Sequence, residues 1–244
     1  MSEGSPGRRG PAAPSAVRLA FPRRSPWRSA LLLLGWAVLL LTAATGVGLL
    51  IGSGVSPTDR AVVAWAASVR TAPLTSGMTT LTELGSMRTL GPLLAVAAAW
   101  LVIRRRPAWT VAACAAAVGI VVLVDTTKLL VGRVRPSLGP VLDVVSPSFP
   151  SGHAAQSAAV LVVLAVVLTG HGSARAAAPA VAVVLVVGVG VTRVYLGVHY
   201  PSDVLAGWLL GALWAAVVLR VVAQPGPESG DGPARAVGRA SAAG

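Results

Sequence analysis

An all-α integral membrane bundle of about six transmembrane helices is the fold class this chain predicts, and three observations predict it. Hydrophobic residues make up 55% of the 244 and charged residues only 11%, where a soluble domain carries roughly 25% charged residues. Apolar runs close to the ~20 residues that cross a bilayer recur along the chain. The basic residues, 20 of them, fall largely in short clusters beside those runs, as orientation signals do.

The elements follow in order. Residues 1–27 are rich in Pro, Arg, Gly and Ser, cannot bury enough apolar surface to fold, and read as a disordered basic cytoplasmic segment. Residues 28–223 form the membrane domain. Its first span runs from about Ala30 to Gly52; this apolar core is too long for a signal peptide, so it reads as an uncleaved helix. The stretch from Ser53 to Ser86 is more polar. Val62, Trp65, Ala66 and Val69 fall there at helical spacing, which predicts a short amphipathic helix at the membrane surface. The second span runs from about Leu84 to Ile103 and stops at Arg104, Arg105 and Arg106. The third covers about Ala108 to Val131, the fourth follows Gly152 to about Gly170, the fifth covers Ala176 to Tyr195 and the sixth Ser202 to Val222. Residues 224–244 read as a disordered cytoplasmic tail.

Placing the Arg clusters inside puts both termini in the cytoplasm of a multi-pass protein of the cell (plasma) membrane. The formal charge of +12 is then topological, and without aromatic–basic interleaving it does not indicate nucleic acid. Cys114, the one cysteine, lies within an apolar run, so no intrachain disulfide forms and the residue reads as lipid-facing or packed in the core.

The same topology leaves Lys128, Arg133, Arg135, His153, Arg193, His199 and Asp203 at the outer face, where the rule disfavours cations. Lys128 is the only lysine, near the outer end of the third span. Arg135 follows two helical turns later, facing the same way if the helix persists to Pro136. Alone, the pair reads as two snorkelling cations. In Pro150-Ser151-Gly152-His153, Ser151 is a natural N-cap, Gly152 lets a ligand approach the backbone, and free N–H groups at a helix start bind anions. Thr192-Arg193, His199 and Asp203 form a third cluster. There Arg193 suits phosphate oxygens, and Asp203 can fix the tautomer of a nucleophilic His199. Three cations, a helix start and two histidines converging on one face describe a phosphoryl-transfer site.

These stretches resemble the type 2 phosphatidic acid phosphatase superfamily, the lipid phosphate phosphatases. Its pattern is Lys-x6-Arg-Pro, then Pro-Ser-Gly-His, then Ser-Arg-x5-His-x3-Asp, here carried by Lys128 to Pro136, Pro150 to His153 and Thr192 to Asp203. One position departs: Thr192 stands where the family has Ser, keeping the hydroxyl and adding a methyl. The resemblance implies a metal-independent lipid phosphate or diphosphate phosphatase with its site at the extracytoplasmic face. His199 would attack phosphorus to form a phosphohistidine, Asp203 would orient it, and His153 would protonate the leaving oxygen and then activate water. Lys128, Arg135, Ser151, Gly152, Arg193 and Thr192 would hold the phosphate.

No cofactor is expected, since no carboxylate cluster suits magnesium. The expected partners are the bilayer and a lipid phosphate of the phosphatidate, phosphatidylglycerol phosphate or polyprenyl diphosphate class. Phosphoryl or head-group transfer by the same site, a vanadate-binding haloperoxidase-like protein and an inactive membrane scaffold are the alternatives. Of the other polar residues, Asp125 is expected to pair with Lys128 or another buried cation, Arg133 to be solvated, Glu83 and Arg88 to be interfacial, Asp143 to shape substrate choice, Gly197 to serve the turn before His199, and His171 to be cytoplasmic and inert.

Overall fold

The computed structural model describes residues 26–51, 54–137, 139–169 and 174–222. The expected disordered tail and His171 lie outside these residues, as does nearly all of the expected N-terminal segment. The described residues form eight helices: α1 (Pro26–Ile51), α2 (Pro57–Ser68), α3 (Ala72–Glu83), α4 (Met87–Ile103), α5 (Pro107–Val131), α6 (Gly152–Leu168), α7 (Ala174–Tyr195) and α8 (Pro201–Val221). No strand occurs among them.

The six spans read from the sequence correspond to α1, α4, α5, α6, α7 and α8. By length and apolarity α1, α5, α7 and α8 each qualify to cross a membrane, and α4 does so together with α3, to which it joins at a 40° bend. Helix α6 is apolar but has 17 residues, about 26 Å of rise against a hydrocarbon core of about 30 Å. It sits inside the bundle, packed against α5, α7, α8 and α4, and so has little lipid to match.

The polar stretch before the second span holds two helices rather than one. Ser56 caps α2, its Oγ accepting from the Asp59 N–H at 3.0 Å, and Pro57 occupies the first turn, where a missing N–H is harmless. The apolar stripe is real but does not simply lie on a surface. Ala66 is buried, Trp65 is exposed, and Val62, Trp65, Ala66 and Val69 line an apolar groove of about 430 Å³ against residues of α3, α7 and α8.

The core is small-residue packing, as expected where lipid offers no hydrophobic penalty and helices must associate by close contact. Ala112, Ala116 and Ile120 of α5 meet Ala155, Ala159 and Val163 of α6 and Leu210, Trp214 and Val218 of α8. Gly207 and Gly211, one turn apart on α8, permit the closest approach. A Cβ on Gly207 would come within 2.6 Å of the Ser151 carbonyl oxygen and 3.1 Å of Ala154 Cβ. This contact ties the start of α8 to the start of α6, and the Ser151 N–H donates to the Asp203 carbonyl at 3.0 Å. The outward faces are apolar, with Leu129, Val96 and Val184 well exposed, and Cys114 is exposed on α5. With these exposed apolar faces the chain is a multi-pass membrane protein.

Candidate active site

The site is assembled at the end of α5 distant from Arg104–Arg106. Gly132, at φ +64°, terminates α5 in the left-handed region, its N–H returning to the Lys128 carbonyl. The helix therefore stops before Pro136, and Arg135 does not share a helical face with Lys128. Arg135 instead reaches the site from the loop, and its five N–H positions are all engaged. Nε donates to Ser146 O (2.6 Å), Nη2 to Ser146 Oγ (3.1 Å) and Pro147 O (3.3 Å), and Nη1 to Val198 O (2.5 Å) and His199 Nε2 (3.1 Å). Lys128 Nζ, buried, donates to the same Pro147 carbonyl.

That last contact of Arg135 fixes the chemistry of His199. A guanidinium only donates, so Nε2 must carry a lone pair and Nδ1 the proton. Nδ1 faces Ser148 Oγ at 3.4 Å and Asp203 Oδ2 at 3.6 Å, while Ser148 Oγ donates to the same Oδ2 at 2.6 Å. The carboxylate thus reaches the imidazole partly through Ser148. Asp203 also accepts the Tyr200 N–H at 2.9 Å, capping α8. Burial pushes His199 down to about 3, with Asp203 opposing and Arg135 and Arg193 adding to the fall, so the ring is neutral near pH 7. Arg135 is held below its ordinary value by burial, with Asp203 opposing. Gly197, at φ +72°, makes the turn before His199 that the sequence reading assigned to it.

A cavity of about 550 Å³ gathers Lys128, Arg135, Gly152, His153, Arg193 and His199. Asp203 stands behind its wall. Ser151 is fully buried, and its Oγ and Arg193 Nε lack a hydrogen-bond partner among the described residues. Thr192 is fully buried too, but its hydroxyl donates back to Val189 O at 2.6 Å, as a helical threonine does. Neither Ser151 nor Thr192 lines the cavity.

Two expectations change. Arg133 is not solvated: it is 4% exposed and ion-pairs with Asp59 (3.0 Å) and Asp203 (2.6 Å), because its loop folds inward against α8. Asp125 makes no ion pair within 4.0 Å of Lys128; the lysine turns to the Pro147 carbonyl, and Asp125 is an exposed residue of the cavity wall. Glu83 and Arg88 line the cavity with Asp143.

Four buried residues were missed by sequence reasoning: Asp59, Thr82, Ser148 and, as an ion-pair partner, Arg133. Thr82 accepts from Arg193 Nη1 at 2.9 Å. Asp59 sits three residues after Ser56, where a capping pattern accounts for it fully. Arg133 lay inside the Lys128–Pro136 stretch at a position its pattern leaves open, and Ser148 lay two residues before Pro150.

A model of the PAP2 superfamily matches residues 81–226. The chain is 34% identical over 174 residues to phosphatidylglycerophosphatase B of Bacillus subtilis, covering 66% of this chain and 81% of that one. It is 40% identical over 119 residues to decaprenylphosphoryl-5-phosphoribose phosphatase of Mycobacterium tuberculosis, covering 47% and 62%. Its fold is similar to the crystal structure of the transmembrane PAP2 type phosphatidylglycerolphosphate phosphatase from Bacillus subtilis, with a TM-score of 0.64 and 30% identity, covering 79% of this chain and 94% of that one.

Proposed function

The chain belongs to the PAP2 superfamily, and from that premise we propose that it hydrolyses the phosphomonoester or diphosphate of a membrane lipid at the outer face of the cell membrane, through a phosphohistidine on His199. The observation that carries this reading is the pair of contacts on the His199 ring, from which the tautomer follows. Nε2 has its lone pair at the cavity, beside a guanidinium, and Nδ1–H faces a carboxylate.

In the first step His199 Nε2 bonds to phosphorus and the bond to the lipid oxygen breaks. His153, in the cavity wall, gives that oxygen a proton. Nδ1–H becomes more acidic as the ring gains charge, and Ser148 and Asp203 stabilise it. In the second step His153 takes a proton from water, the hydroxide oxygen bonds to phosphorus, and the bond to Nε2 breaks. Lys128, Arg193 and Arg135 offset the charge on the phosphoryl oxygens, with Arg135 exchanging its bond to Nε2 for a phosphate oxygen. The unpartnered Arg193 Nε and Ser151 Oγ are donors that a phosphate can satisfy. Thr192, with its proton committed to Val189, packs the pocket from behind. Both relatives above are named for phosphatase activity on lipid-linked substrates. The Arg triplet between α4 and α5 lies one full helix length from the site, which favours the outer face.

The test is phosphate release by the purified protein in detergent with EDTA present. Phosphatidate, phosphatidylglycerol phosphate, a polyprenyl diphosphate and a soluble phosphomonoester form the panel. Release from a lipid is expected, falling at least about 10⁴-fold in His199→Ala. Equal activity in that variant would overturn the nucleophile assignment. Phosphate transfer to an added alcohol without release of free phosphate would replace hydrolysis by transfer.

A further inference from the structure

Helix α2 contributes one carboxylate to the site from outside the cavity and outside the residues that match the family model. Asp59 is 3% exposed. Its Oδ2 accepts from Arg133 Nη2 at 3.0 Å and Ser202 Oγ at 2.6 Å, and its Oδ1 accepts from the Ser202 N–H at 3.1 Å. The same guanidinium turns Nη1 to Asp203 Oδ1 (2.6 Å) and to Ser202 Oγ (2.8 Å) and stacks over the Tyr200 ring at 4.7 Å. One buried cation is therefore shared by two buried carboxylates.

Counting charges shows what the sharing does. Asp59, Arg133 and Asp203 together carry a net charge of −1. The other groups around His199 are Lys128 on α5, Arg135 on the following loop, Arg193 on α7 and His153 on α6. Without Asp59, Arg133 would neutralise Asp203 completely. Glu83, Asp125 and Asp143 also line the cavity but form no ion pair with the imidazole, so Lys128, Arg135 and Arg193 would then outweigh Asp203, and the positive charge that develops on His199 as Nε2 attacks phosphorus would be poorly compensated.

We propose that Asp59 is a positioning residue for His199: by taking up half of Arg133, it leaves Asp203 with the charge that makes the imidazole nucleophilic. This rests on His199 being the nucleophile. Asp59 touches neither the imidazole nor the cavity and acts only through Arg133 and Asp203.

The charge count makes a four-way prediction. The ion cluster is −1 in the native chain, 0 in Asp59→Asn, −2 in Arg133→Met and −1 again in the double variant. The readout is the rate at which diethyl pyrocarbonate labels His199 at pH 7, followed by peptide mass spectrometry in detergent, which reports imidazole nucleophilicity without turnover. Asp59→Asn is expected to label about 3-fold more slowly and Arg133→Met faster, with the double variant returning to near the native rate. On the lipid substrate, kcat/KM of Asp59→Asn falls about 10-fold, as for other residues that orient a reacting group from behind.

If Asp59→Asn lowers the melting temperature but labels at the native rate, Asp59 is merely structural and the proposal is overturned. If Arg133→Met does not fold, the double variant must still label faster than Asp59→Asn, and equal or slower labelling overturns it. Should the native protein release no phosphate, the functional reading fails, while the labelling series still decides the role of Asp59.

Discussion

Helices α5 to α8 and the pair α2–α3 meet at the same ion cluster but bring different things to it. The first group supplies the side chains that open into the cavity: Lys128, His153, Arg193 and, from the loops it frames, Arg135 and His199. The second group supplies mainly supports. Asp59 holds Arg133, Thr82 holds Arg193, and Arg70 donates to the Tyr195 carbonyl at 2.9 Å and to the Gly139 carbonyl. The Tyr195 hydroxyl in turn receives the Thr71 N–H at 3.3 Å and lies 3.1 Å from Thr75 Oγ1. Cations crowded in a low-dielectric site repel one another, so each needs a partner that fixes it without filling the cavity. The α2–α3 pair can provide such partners because Asp59 and Thr82 lie off the cavity wall.

The contrast can be broken by substitutions on each side. The largest effect is expected at Arg135, which touches His199 Nε2: Arg135→Ala should lower kcat about 10²–10³-fold. Arg70→Ala, by comparison, should cost about 1–3 kcal/mol of stability with kcat changed only a few-fold. Steady-state kinetics beside thermal melting in detergent separate the two. If both lose kcat equally, the division between reacting and supporting groups is wrong.

Next comes the α6–α8 contact that brings the two histidine clusters together. Gly207→Ala must push α8 from the Ser151 carbonyl, at about 1–3 kcal/mol for overpacking. A lower melting temperature with reduced kcat is expected, since Asp203 and Ser151 separate. Thr82→Val is smaller. It removes the acceptor of a buried Arg193 N–H at about 1–3 kcal/mol, and it should raise KM several-fold more than it lowers kcat.

The last effect is in acid. His199 is held at about 3 in the folded chain, against an ordinary 6.5. Between those values the unfolded chain binds the proton and the folded chain does not, so stability falls as pH drops through that window. His199→Asn should make the melting temperature decline less steeply from pH 6.5 to 3. An unchanged slope would mean the imidazole is already charged when folded.

How much was legible follows from how each residue is specified. Lys128, His153, His199 and Asp203 were found because rare ionisable residues at fixed spacing stand out in an apolar chain. Ser148 lay beside a motif yet looked like an ordinary loop serine. Asp59 was hidden more thoroughly, because a carboxylate three residues after Ser56 is explained by helix capping alone. Arg133 was read as solvated because its loop position says nothing about the fold of that loop. Gly132 could have corrected the reading of Arg135: glycine is the usual left-handed stop, and it ends α5 three residues before the arginine.

The sequence by itself determined the membrane class, the six apolar runs and the family, since these depend on composition, run length and local spacing. It also determined Gly197 as the turn before His199. Only the tertiary structure decided that Arg133 is a shared buried cation, that Lys128 turns to a carbonyl instead of Asp125, and that α2, outside the family match, and α3, at its edge, brace the site. The physical reason is the range of the interaction. Capping, helix length and hydropathy act over a few residues and leave a pattern in the chain. The pairing of Asp59 with Arg133, 74 residues apart, is set by which buried charges the packing brings together.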